Sequence, residues 1–532
     1  MLAGKFIFLI DLKRVLAADI LGFFRTIFLR GRKIFVLEKT KKEKNLLIVS
    51  LSGVNYTIFL ESLFAKALNK NGYNVFFLSE LGYMNGVRSF RAIGGKVIFY
   101  HLLFFKNGLK FIFKKLPFVK TGEDLMNFSR DGINIGKGIY ALVSRKLKVG
   151  RLNFEDRKTR GIVRRYVWRS AVYFETVKAI FKKIKPDLVL ANEKGYMGNY
   201  EIFKLATEEG IDFIQWIGCQ EPNSLIFKRY NKTNEKEHAF SISDENWQKF
   251  QAMPWQEDKG REVRRLFENG YGKGEWFGYH YLSSKTVLTT RGDLIRKYSL
   301  DPEKKIAVLF SHIMWDANLF YGEDLFENGF GEWIVETVKA MKKNKAVNWI
   351  LKVHPSNRFR HKAEGIKGEY RELQALKEAL GEIPENIKVM HPEDEINPYS
   401  LFQLADYGIT VRGTIGMEMP CFGKPVLTAG TGRYSGKGFT IDSSSKEEYL
   451  EKILHIEEIP VLNEEKKRLA LLYSYILLKL RPLKFQSFKE TFFSHADKKI
   501  ELLIKNFDEA GDFQEFSCWA SDKKIEDFIR QI

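Results

Sequence analysis

The stretch from residue 349 to residue 434 alternates short apolar segments with polar or glycine-rich turns. Apolar residues dominate the segments 349–353, 387–389, 406–411 and 423–427, and a charged, helix-like pattern separates the first two. Short apolar runs that alternate with helices predict a parallel sheet. Polar residues then gather at the carboxyl ends of the strands, the edge where open α/β sheets bind ligands. The stretch therefore predicts a ligand-binding α/β domain.

A small turn, Arg412-Gly413-Thr414-Ile415-Gly416, leads into a predicted helix. A glycine-rich turn before a helix offers backbone N–H groups and the positive end of the helix dipole, so phosphate is its natural ligand. Arg412 and Arg433 add positive charge, and Glu418 can accept hydrogen bonds from a sugar hydroxyl. Pro420 is expected to shorten or kink the helix.

These residues carry a resemblance to a known family. Lys352-Val353-His354-Pro355, followed by the sequences at 413–418 and 423–426, resembles the capsule polysaccharide biosynthesis glycosyltransferases, whose relatives include Kdo transferases. The resemblance extends over residues 306–454. It implies a GT-B-like α/β fold, in which two Rossmann-like domains with parallel sheets face a cleft, with helical N- and C-terminal extensions.

The resemblance also implies an activity. The expected reaction moves a sugar from a CMP-, UDP- or GDP-linked donor to a surface glycan or glycolipid acceptor, with no cofactor and no metal. Several relatives have a Ser-Ser pair where this chain has Arg412-Gly413-Thr414, which leaves the nucleotide open. The alternatives are a nucleotide-sugar epimerase, a polyol-phosphate polymerase, and a non-catalytic protein of the capsule system that binds glycan or membrane.

Specific residues follow from the resemblance. His354 is expected to contact the donor phosphate, Thr414 and Gly416 to hold the same phosphate, and Glu418 to bind the nucleotide ribose. The expected catalytic residues are His354, on the leaving group, and Glu193 or Asp316, as the base that deprotonates the acceptor. The residues expected to bind the nucleotide-sugar are Ser311, His312, Lys352, His354, Arg412, Gly413, Thr414, Gly416, Glu418 and Arg433.

Each of these assignments has a structural alternative. His354, at the end of a strand, can instead have a purely structural role as a hydrogen-bond partner of the backbone. Glu418 can instead stabilise its helix by compensating the helix dipole. Glu193 can be a surface ion-pair partner. Asp316 can cap a loop.

The chain of 532 residues is long enough for two large domains with extensions. A first Rossmann-like unit begins at residue 45 with an apolar strand and is expected to bind the acceptor. The expected organisation is basic amphipathic helices at 1–44, the acceptor domain at 45–222, a helical connection at 223–300, the nucleotide-sugar-binding domain at 301–462, and helices at 463–532 that pack back.

Charge and cysteine content limit the partners. Lys and Arg number 86 and Asp and Glu number 66, so the net charge of +20 favours an acidic partner such as nucleotide phosphate, anionic lipid or anionic glycan. No nucleic-acid-binding motif is present, so nucleic acid is not expected. Three widely separated cysteines fit a reducing cytoplasm, and no run approaches the ~20 apolar residues of a membrane span. We expect a cytoplasmic protein, peripheral at the inner face of the cell membrane.

The segment 102–116 predicts an amphipathic helix. Its apolar stripe consists of Leu102, Phe105, Leu109, Ile112 and Leu116, and its basic stripe of Lys106, Lys110 and Lys114. This pattern is typical of an interfacial membrane anchor, but equally of a helix that faces the core with solvated lysines.

Overall fold

The computed structural model describes residues 36–38, 42–80, 84–111, 114, 116–276, 286–315, 318–365, 368–484, 513–522 and 525–530. The helices predicted within 1–44 lie almost entirely outside this range, and so does Asp316.

Two sheets contain most of the described strands. The strands are β1 (Lys44–Ser50), β2 (Tyr73–Ser79), β3 (Lys96–Phe99), β4 (Ser129–Arg130), β5 (Ile133–Asn134), β6 (Leu188–Ala191), β7 (Asp212–Gly218), β8 (Ser224–Tyr230), β9 (Ile306–Phe310), β10 (Asn348–Lys352), β11 (Ile387–Met390), β12 (Tyr407–Thr410), β13 (Val426–Thr428) and β14 (Leu483–Lys484).

Helices cover both faces of these sheets. The described α-helices are α1 (Asn55–Lys70), α2 (Met84–Ala92), α3 (Tyr100–Phe111), α4 (Gly122–Met126), α5 (Gly136–Leu147), α6 (Arg157–Ile184), α7 (Asn199–Glu208), α8 (Asp244–Gln251), α9 (Glu257–Phe267), α10 (Arg291–Tyr298), α11 (Gly329–Lys343), α12 (Ser356–Glu364), α13 (Arg371–Leu380), α14 (Pro398–Leu404), α15 (Ile415–Glu418), α16 (Lys446–Leu454), α17 (Glu464–Tyr475) and α18 (Gln514–Ser521).

The first sheet has the strand order β14-β8-β7-β6-β1-β2-β3, and β7, β6, β1, β2 and β3 run parallel. The middle of strand β1, residues 46–49, is entirely apolar because both faces of the strand are covered. Leu46 and Ile48 pack in the core under α1, whereas Leu47 and Val49 pack in the core under α6. Continuous apolar strands of this kind are typical of buried parallel sheets.

The second sheet has five parallel strands in the order β11-β10-β9-β12-β13. Its strands coincide with the apolar segments of the stretch 349–434 and with the predicted strand that ends before Ser311. The prediction of an α/β fold with two Rossmann-like domains facing a cleft is therefore confirmed.

The expected helical connection from residue 223 is wrong at its start. Ser224–Tyr230 is a buried strand that pairs antiparallel with β7. It contains Lys228 and Arg229, which look like surface residues in the sequence but are neutralised here. Lys228 donates to Asp527 (2.8 Å) and Arg229 to Asp212 (2.5 Å). The paired acids make a basic strand compatible with burial.

The described C-terminal residues return to the first sheet. Strand β14 pairs with β8, and the N–H of Arg229 donates to the carbonyl of Glu526 at 2.8 Å. Helix α18 packs on α1, where the rings of Phe64 and Phe516 lie 5.2 Å apart.

Helix α3 corresponds to part of the predicted amphipathic segment. Phe104 and Phe111 pack toward Trp168 of α6, while Leu109 is 46% exposed and Lys106 and Lys110 are exposed. The helix therefore has a core-facing side and a separate basic side. Among the described residues, no helix is long and apolar enough to cross a membrane.

Candidate functional site

A cleft of about 620 Å³ lies between the two domains and is lined by residues that follow the carboxyl ends of β6, β9, β10, β12 and β13. Several predicted site residues meet there. They are Glu193, His312, His354, Arg412, Gly413, Thr414 and Arg433.

A smaller cavity of about 110 Å³ adjoins the cleft and shares His312, His354, Gly413 and Thr414 with it. Three further predicted residues line this cavity, namely Ser311, Lys352 and Glu418. The two cavities thus form one elongated site with a wide and a narrow end.

His354 is fixed at the end of β10 by its neighbours. Its N–H donates to Ser311 Oγ (2.9 Å), and its Nδ1 accepts the N–H of Ser356 (3.2 Å). Because Nδ1 is an acceptor, a neutral His354 carries its proton on Nε2. Ser311 in turn donates to the buried carboxylate of Glu372 at 3.0 Å, so its hydroxyl holds the His354 turn in place.

His312 is likewise held as a neutral ring. Its Nε2 accepts the N–H of Val411 (3.2 Å) and lies 3.0 Å from Thr410 Oγ1, while the ring stacks on Phe330 at 4.7 Å. Burial lowers the pKa of His312 well below its ordinary value, and the positive charge of nearby residues acts in the same direction. The proton of the neutral ring is therefore on Nδ1.

The turn after β12 is closely packed at Gly416. The N–H of Gly416 donates to the carbonyl of Gly413 (3.1 Å), and a Cβ on Gly416 would lie 2.1 Å from Tyr434 Oη. Gly416 lines neither cavity. The structure gives this glycine a role in close packing, and its contact with phosphate stays a prediction.

The helix after this turn is short, as Pro420 predicts. Helix α15 has four residues and continues as the 3₁₀ turn Met419–Phe422. The helix dipole therefore contributes less to anion binding than the sequence indicates. Side chains must supply most of the positive potential.

Two arginines supply that potential. Arg412 forms an ion pair with Asp324, and burial raises the pKa of Asp324 although Arg412 opposes this effect. The guanidinium of Arg433 lies 5.4 Å from the ring centroid of Phe240 and has no ion pair among the described residues. The charge of Arg433 is thus not neutralised within the described protein.

Glu418 is the most unusual group of the narrow end. It is 1% exposed, one oxygen accepts a hydrogen bond from the hydroxyl of Tyr271, and Oε2 is buried without a partner. Burial raises the pKa of Glu418 to about 7. The hydroxyls of Tyr271 and Thr414 oppose this rise, but neither makes a hydrogen bond of normal length to Oε2, so a donor from a ligand would satisfy this oxygen.

Lys352 lines the same small cavity as Glu418. It is 6% exposed, and burial lowers the pKa of its amine to about 8. A desolvated amine of this kind is a strong hydrogen-bond donor to an oxygen that enters the cavity.

Glu193 lies on the opposite, first-domain side of the cleft. Its Oε1 accepts the N–H groups of Lys194 and Gly195, both at 2.8 Å, which fixes the carboxylate at the end of β6. The adjacent Lys194 is buried, and its amine donates to the carbonyls of Glu235 (2.5 Å) and Glu237 (2.7 Å). Lys194 therefore anchors the loop that closes this side of the cleft.

Sequence reasoning missed Tyr271, Lys194 and His238, although all three contribute to the site. Tyr271 and His238 belong to the segment 223–300 that was predicted as a connection, and Tyr271 lies in the π-helical turn Glu268–Gly272. Such turns are frequent at functional sites, but no local pattern in the sequence indicates one.

A family model matches part of the chain. Residues 296–459 match the family model described as "Capsule polysaccharide biosynthesis protein". No curated protein matches the chain.

Solved structures show weak similarity. KpsC, a beta Kdo 2,4 transferase of Thermosulfurimonas dismutans, is 18% identical over 56% of this chain and 81% of its own, with a TM-score of 0.33. UDP-GlcNAc 2-epimerase from Neisseria meningitidis is 12% identical over 82% of this chain and 98% of its own, with a TM-score of 0.29. TM-scores this low carry no argument about activity. The matched segment, 296–459, supplies the site residues His312, His354, Arg412, Glu418 and Arg433.

Proposed function

We propose that the protein transfers a sugar from a nucleotide-sugar donor to a glycan or glycolipid acceptor in the synthesis of a capsule or another surface polysaccharide. The observation that carries this proposal is the partnerless Oε2 of Glu418 in a narrow cavity that opens into a cationic cleft. A nucleoside needs a small, selective pocket, and its phosphates need positive charge next to it.

The donor occupies both ends of the site. A ribose hydroxyl satisfies Glu418 Oε2, and the phosphate lies where His354, Arg412 and Thr414 converge. The Nε2–H of His354 and the two arginines stabilise the negative charge that develops on the departing phosphate. We expect these fixed donors to be sufficient, so the reaction needs no metal and no cofactor.

Glu193 is the proposed base. Two amides hold one of its oxygens, which leaves the other oxygen to take the proton of the acceptor hydroxyl. The residue lies across the cleft from His354, so the reacting sugar is placed between a base and a leaving-group stabiliser. Asp316, the other expected base, stays a prediction because it lies outside the described residues.

The acceptor suggests a location. A glycolipid acceptor requires that the enzyme reach a membrane surface, and the exposed basic side of α3 offers a means of doing so. We propose a cytoplasmic protein that binds the inner face of the cell membrane peripherally, with no nucleic-acid partner.

A nucleotide screen tests this function first. Thermal unfolding is measured with CMP, CDP, UDP and GDP, and one of them is expected to raise the midpoint because a ligand of the native state stabilises it by mass action. Nucleotide release from the matching sugar donor is then measured with and without added acceptor. Release that does not depend on acceptor contradicts the transferase and favours an epimerase. Absence of any nucleotide effect contradicts both enzymes.

A further inference from the structure

His238 lies on the first-domain side of the cleft, in the loop between β8 and α8, and has no role in the reaction proposed above. Its N–H donates to Ser241 Oγ (3.1 Å), and the N–H of Ser241 donates back to the carbonyl of His238 (2.9 Å). These two bonds close a tight turn. The backbone at His238 is therefore fixed.

The imidazole of His238 is fixed as well. Its Nδ1 accepts the N–H of Phe240 at 3.0 Å, so a neutral ring carries its proton on Nε2. The ring packs against Phe240 (5.0 Å) and against Tyr321 of the second domain (4.6 Å). Nε2 has no hydrogen-bond partner among the described residues. The cleft thus contains an N–H donor in a defined position.

The surroundings of His238 favour a negative charge in the cleft. Burial lowers the pKa of His238 well below its ordinary value. Four cations, Arg433, Lys194, Arg481 and Arg412, act on the ring in the same direction as burial, although the acids Glu193 and Glu237 line the same cleft. Repulsion from these cations keeps the imidazole neutral, whereas the same charges attract an anion.

Arg433 lines the same cleft as His238. It lies over the ring of Phe240, the residue whose N–H holds His238. A fixed neutral donor and an arginine without an ion pair among the described residues therefore stand side by side. This combination suits an oxyanion, because the arginine attracts its charge and the fixed N–H of the imidazole donates a hydrogen bond in a defined orientation.

The loop that carries His238 is anchored from both domains. Lys194 donates to the carbonyls on either side of Lys236, and the N–H of Gly322 donates to the carbonyl of Lys236 at 2.8 Å. A binding group held this firmly loses little entropy when a ligand arrives.

We propose that His238 and Arg433 form an oxyanion-binding subsite, here called the His238–Arg433 subsite, separate from the phosphate position at His354. Its ligand is either the second phosphate of a nucleoside diphosphate or a carboxylate on the sugar. The proposal rests on the proposed function for the identity of the substrate. Because the imidazole stays neutral, binding at this subsite does not require protonation of His238.

The test uses isothermal titration calorimetry on the full chain. The probes are CMP, UMP and GMP, the corresponding diphosphates, and glucuronate as an anion without phosphate. His238→Phe keeps the aromatic packing and removes the donor, whereas His238→Gln keeps an N–H donor.

If the subsite takes a second phosphate, His238→Phe weakens diphosphate binding at least tenfold and leaves monophosphate binding unchanged. If it takes a carboxylate, glucuronate binding weakens instead. In both cases His238→Gln stays within about threefold of wild type.

Three results overturn the subsite. They are unchanged binding of diphosphates and glucuronate by His238→Phe, an equal loss for monophosphates and diphosphates, and wild-type protein that binds neither a diphosphate nor glucuronate. Failure of the proposed function is distinct, because the wild type then binds glucuronate but no nucleotide.

Nitrogen NMR of histidine-labelled wild-type protein provides a readout that does not depend on the variants. The His238 signals are expected to report an Nε2–H tautomer that does not change between about pH 5.5 and 8. A titration with a midpoint near the ordinary histidine pKa of about 6.5 overturns the neutral donor.

Discussion

At the scale of residues, the site is defined by polar groups that the protein itself does not satisfy. Glu418 Oε2 is buried with no hydrogen bond of normal length, and the amine of Lys352, in the wall of the same cavity, is desolvated. Stability alone gives no reason to bury such groups, since an unsatisfied carboxyl costs about 1–3 kcal/mol or more. Their burial is understandable if a ligand completes the hydrogen bonds.

Glu418→Gln tests the ribose contact directly. Glutamine has nearly the same shape but presents a poorer acceptor, so the Kd for the nucleotide that stabilises the wild type is expected to rise at least tenfold, about 1.4 kcal/mol. Calorimetric titration measures this change. Glu382→Gln, at an exposed glutamate, is the matched control and is expected to bind as the wild type does. Equal affinity in Glu418→Gln and in the control contradicts the ribose assignment.

The raised pKa of Glu418 has a consequence for stability. In the unfolded chain this carboxyl ionises near its ordinary value of 4.5, but in the folded protein it ionises at about 7. The folded protein therefore binds more protons between these values, and ionisation of Glu418 lowers stability progressively as pH rises through this window. The effect is absent below pH 4.5 and complete above pH 7, where it amounts to about 3 kcal/mol.

Urea unfolding of wild type and Glu418→Gln across this range provides the check. Glutamine does not ionise, so the variant's free energy of unfolding is expected to gain on that of the wild type from pH 4.5 to 7 and then to stay level. The other buried carboxyl groups contribute equally to the free energy of unfolding of both proteins, so their contributions cancel in the difference. If the difference between the two free energies of unfolding does not change with pH, the pKa of Glu418 is not raised in the folded protein.

At the scale of elements, the sequence predicts the helices and strands whose burial follows from the order of their own residues. Strands β1, β10 and β12 contain short runs of buried, mostly apolar residues, and they lie where the sequence predicts them. The site residues that follow these strands, such as His354 and Thr414, were found for the same reason. The sequence does not predict strand β8, because Lys228 and Arg229 are neutralised by acids on other elements, Asp527 and Asp212.

The missed site residues have the same explanation. Tyr271 belongs to the site because it contacts Glu418, which is distant in the sequence. His238 belongs to the site because Lys194 holds the loop that carries it. The packing of Gly416 against Tyr434 is likewise a tertiary feature that the sequence does not indicate. Sequence patterns report local periodicity and turn chemistry, and they contain no signal for a contact between separate elements.

Asp527 links the C-terminal residues to β8 and to the loop of the cleft. Lys228 donates to its Oδ1 (2.8 Å), and the N–H of Ser243 donates to its Oδ2 (2.7 Å). Although burial alone would raise it, Lys228 and Arg481 hold the pKa of this carboxyl well below its usual range. Lys228 also pairs with Glu237 at the cleft, so one buried lysine joins the two regions.

Asp527→Asn is expected to destabilise the protein by about 3–5 kcal/mol, because it leaves the buried Lys228 and Arg481 with too little negative charge. Chemical denaturation measures the loss. Glu515→Gln removes an exposed acid of α18 and is expected to change stability by less than about 0.5 kcal/mol. If both variants unfold like the wild type, the buried network does not hold the C-terminal residues in place.

At the scale of the whole molecule, the domains are joined by an aromatic contact beside the cleft. Phe320 of the second domain packs against Tyr196 (5.6 Å) and Tyr200 (5.3 Å) of the first. Gly195 makes room for it, since a Cβ there would lie 2.4 Å from the ring of Phe320. The contact lies next to Glu193, so the same turn positions the proposed base and holds the domains together.

The surface of the molecule provides the last prediction. Lys106, Lys110 and Lys114 are exposed, and Leu109 beside them is 46% exposed. Each lysine near an anionic membrane contributes on the order of 1 kcal/mol to binding, and salt screens this attraction. We expect the protein to co-sediment with phosphatidylglycerol vesicles at low salt and to be released as salt rises. The double substitution Lys106→Glu with Lys110→Glu is expected to abolish co-sedimentation and to leave nucleotide binding unchanged.

Lys342→Glu with Lys343→Glu is the matched control, because it makes the same change in net charge at exposed lysines of α11. If attraction came from the total charge of +20 alone, both double variants would lose binding equally. Loss in the α3 variant alone assigns membrane contact to that helix. If wild-type protein ignores the vesicles at low salt, the basic side of α3 is a solvated surface, and the excess positive charge serves the substrates instead.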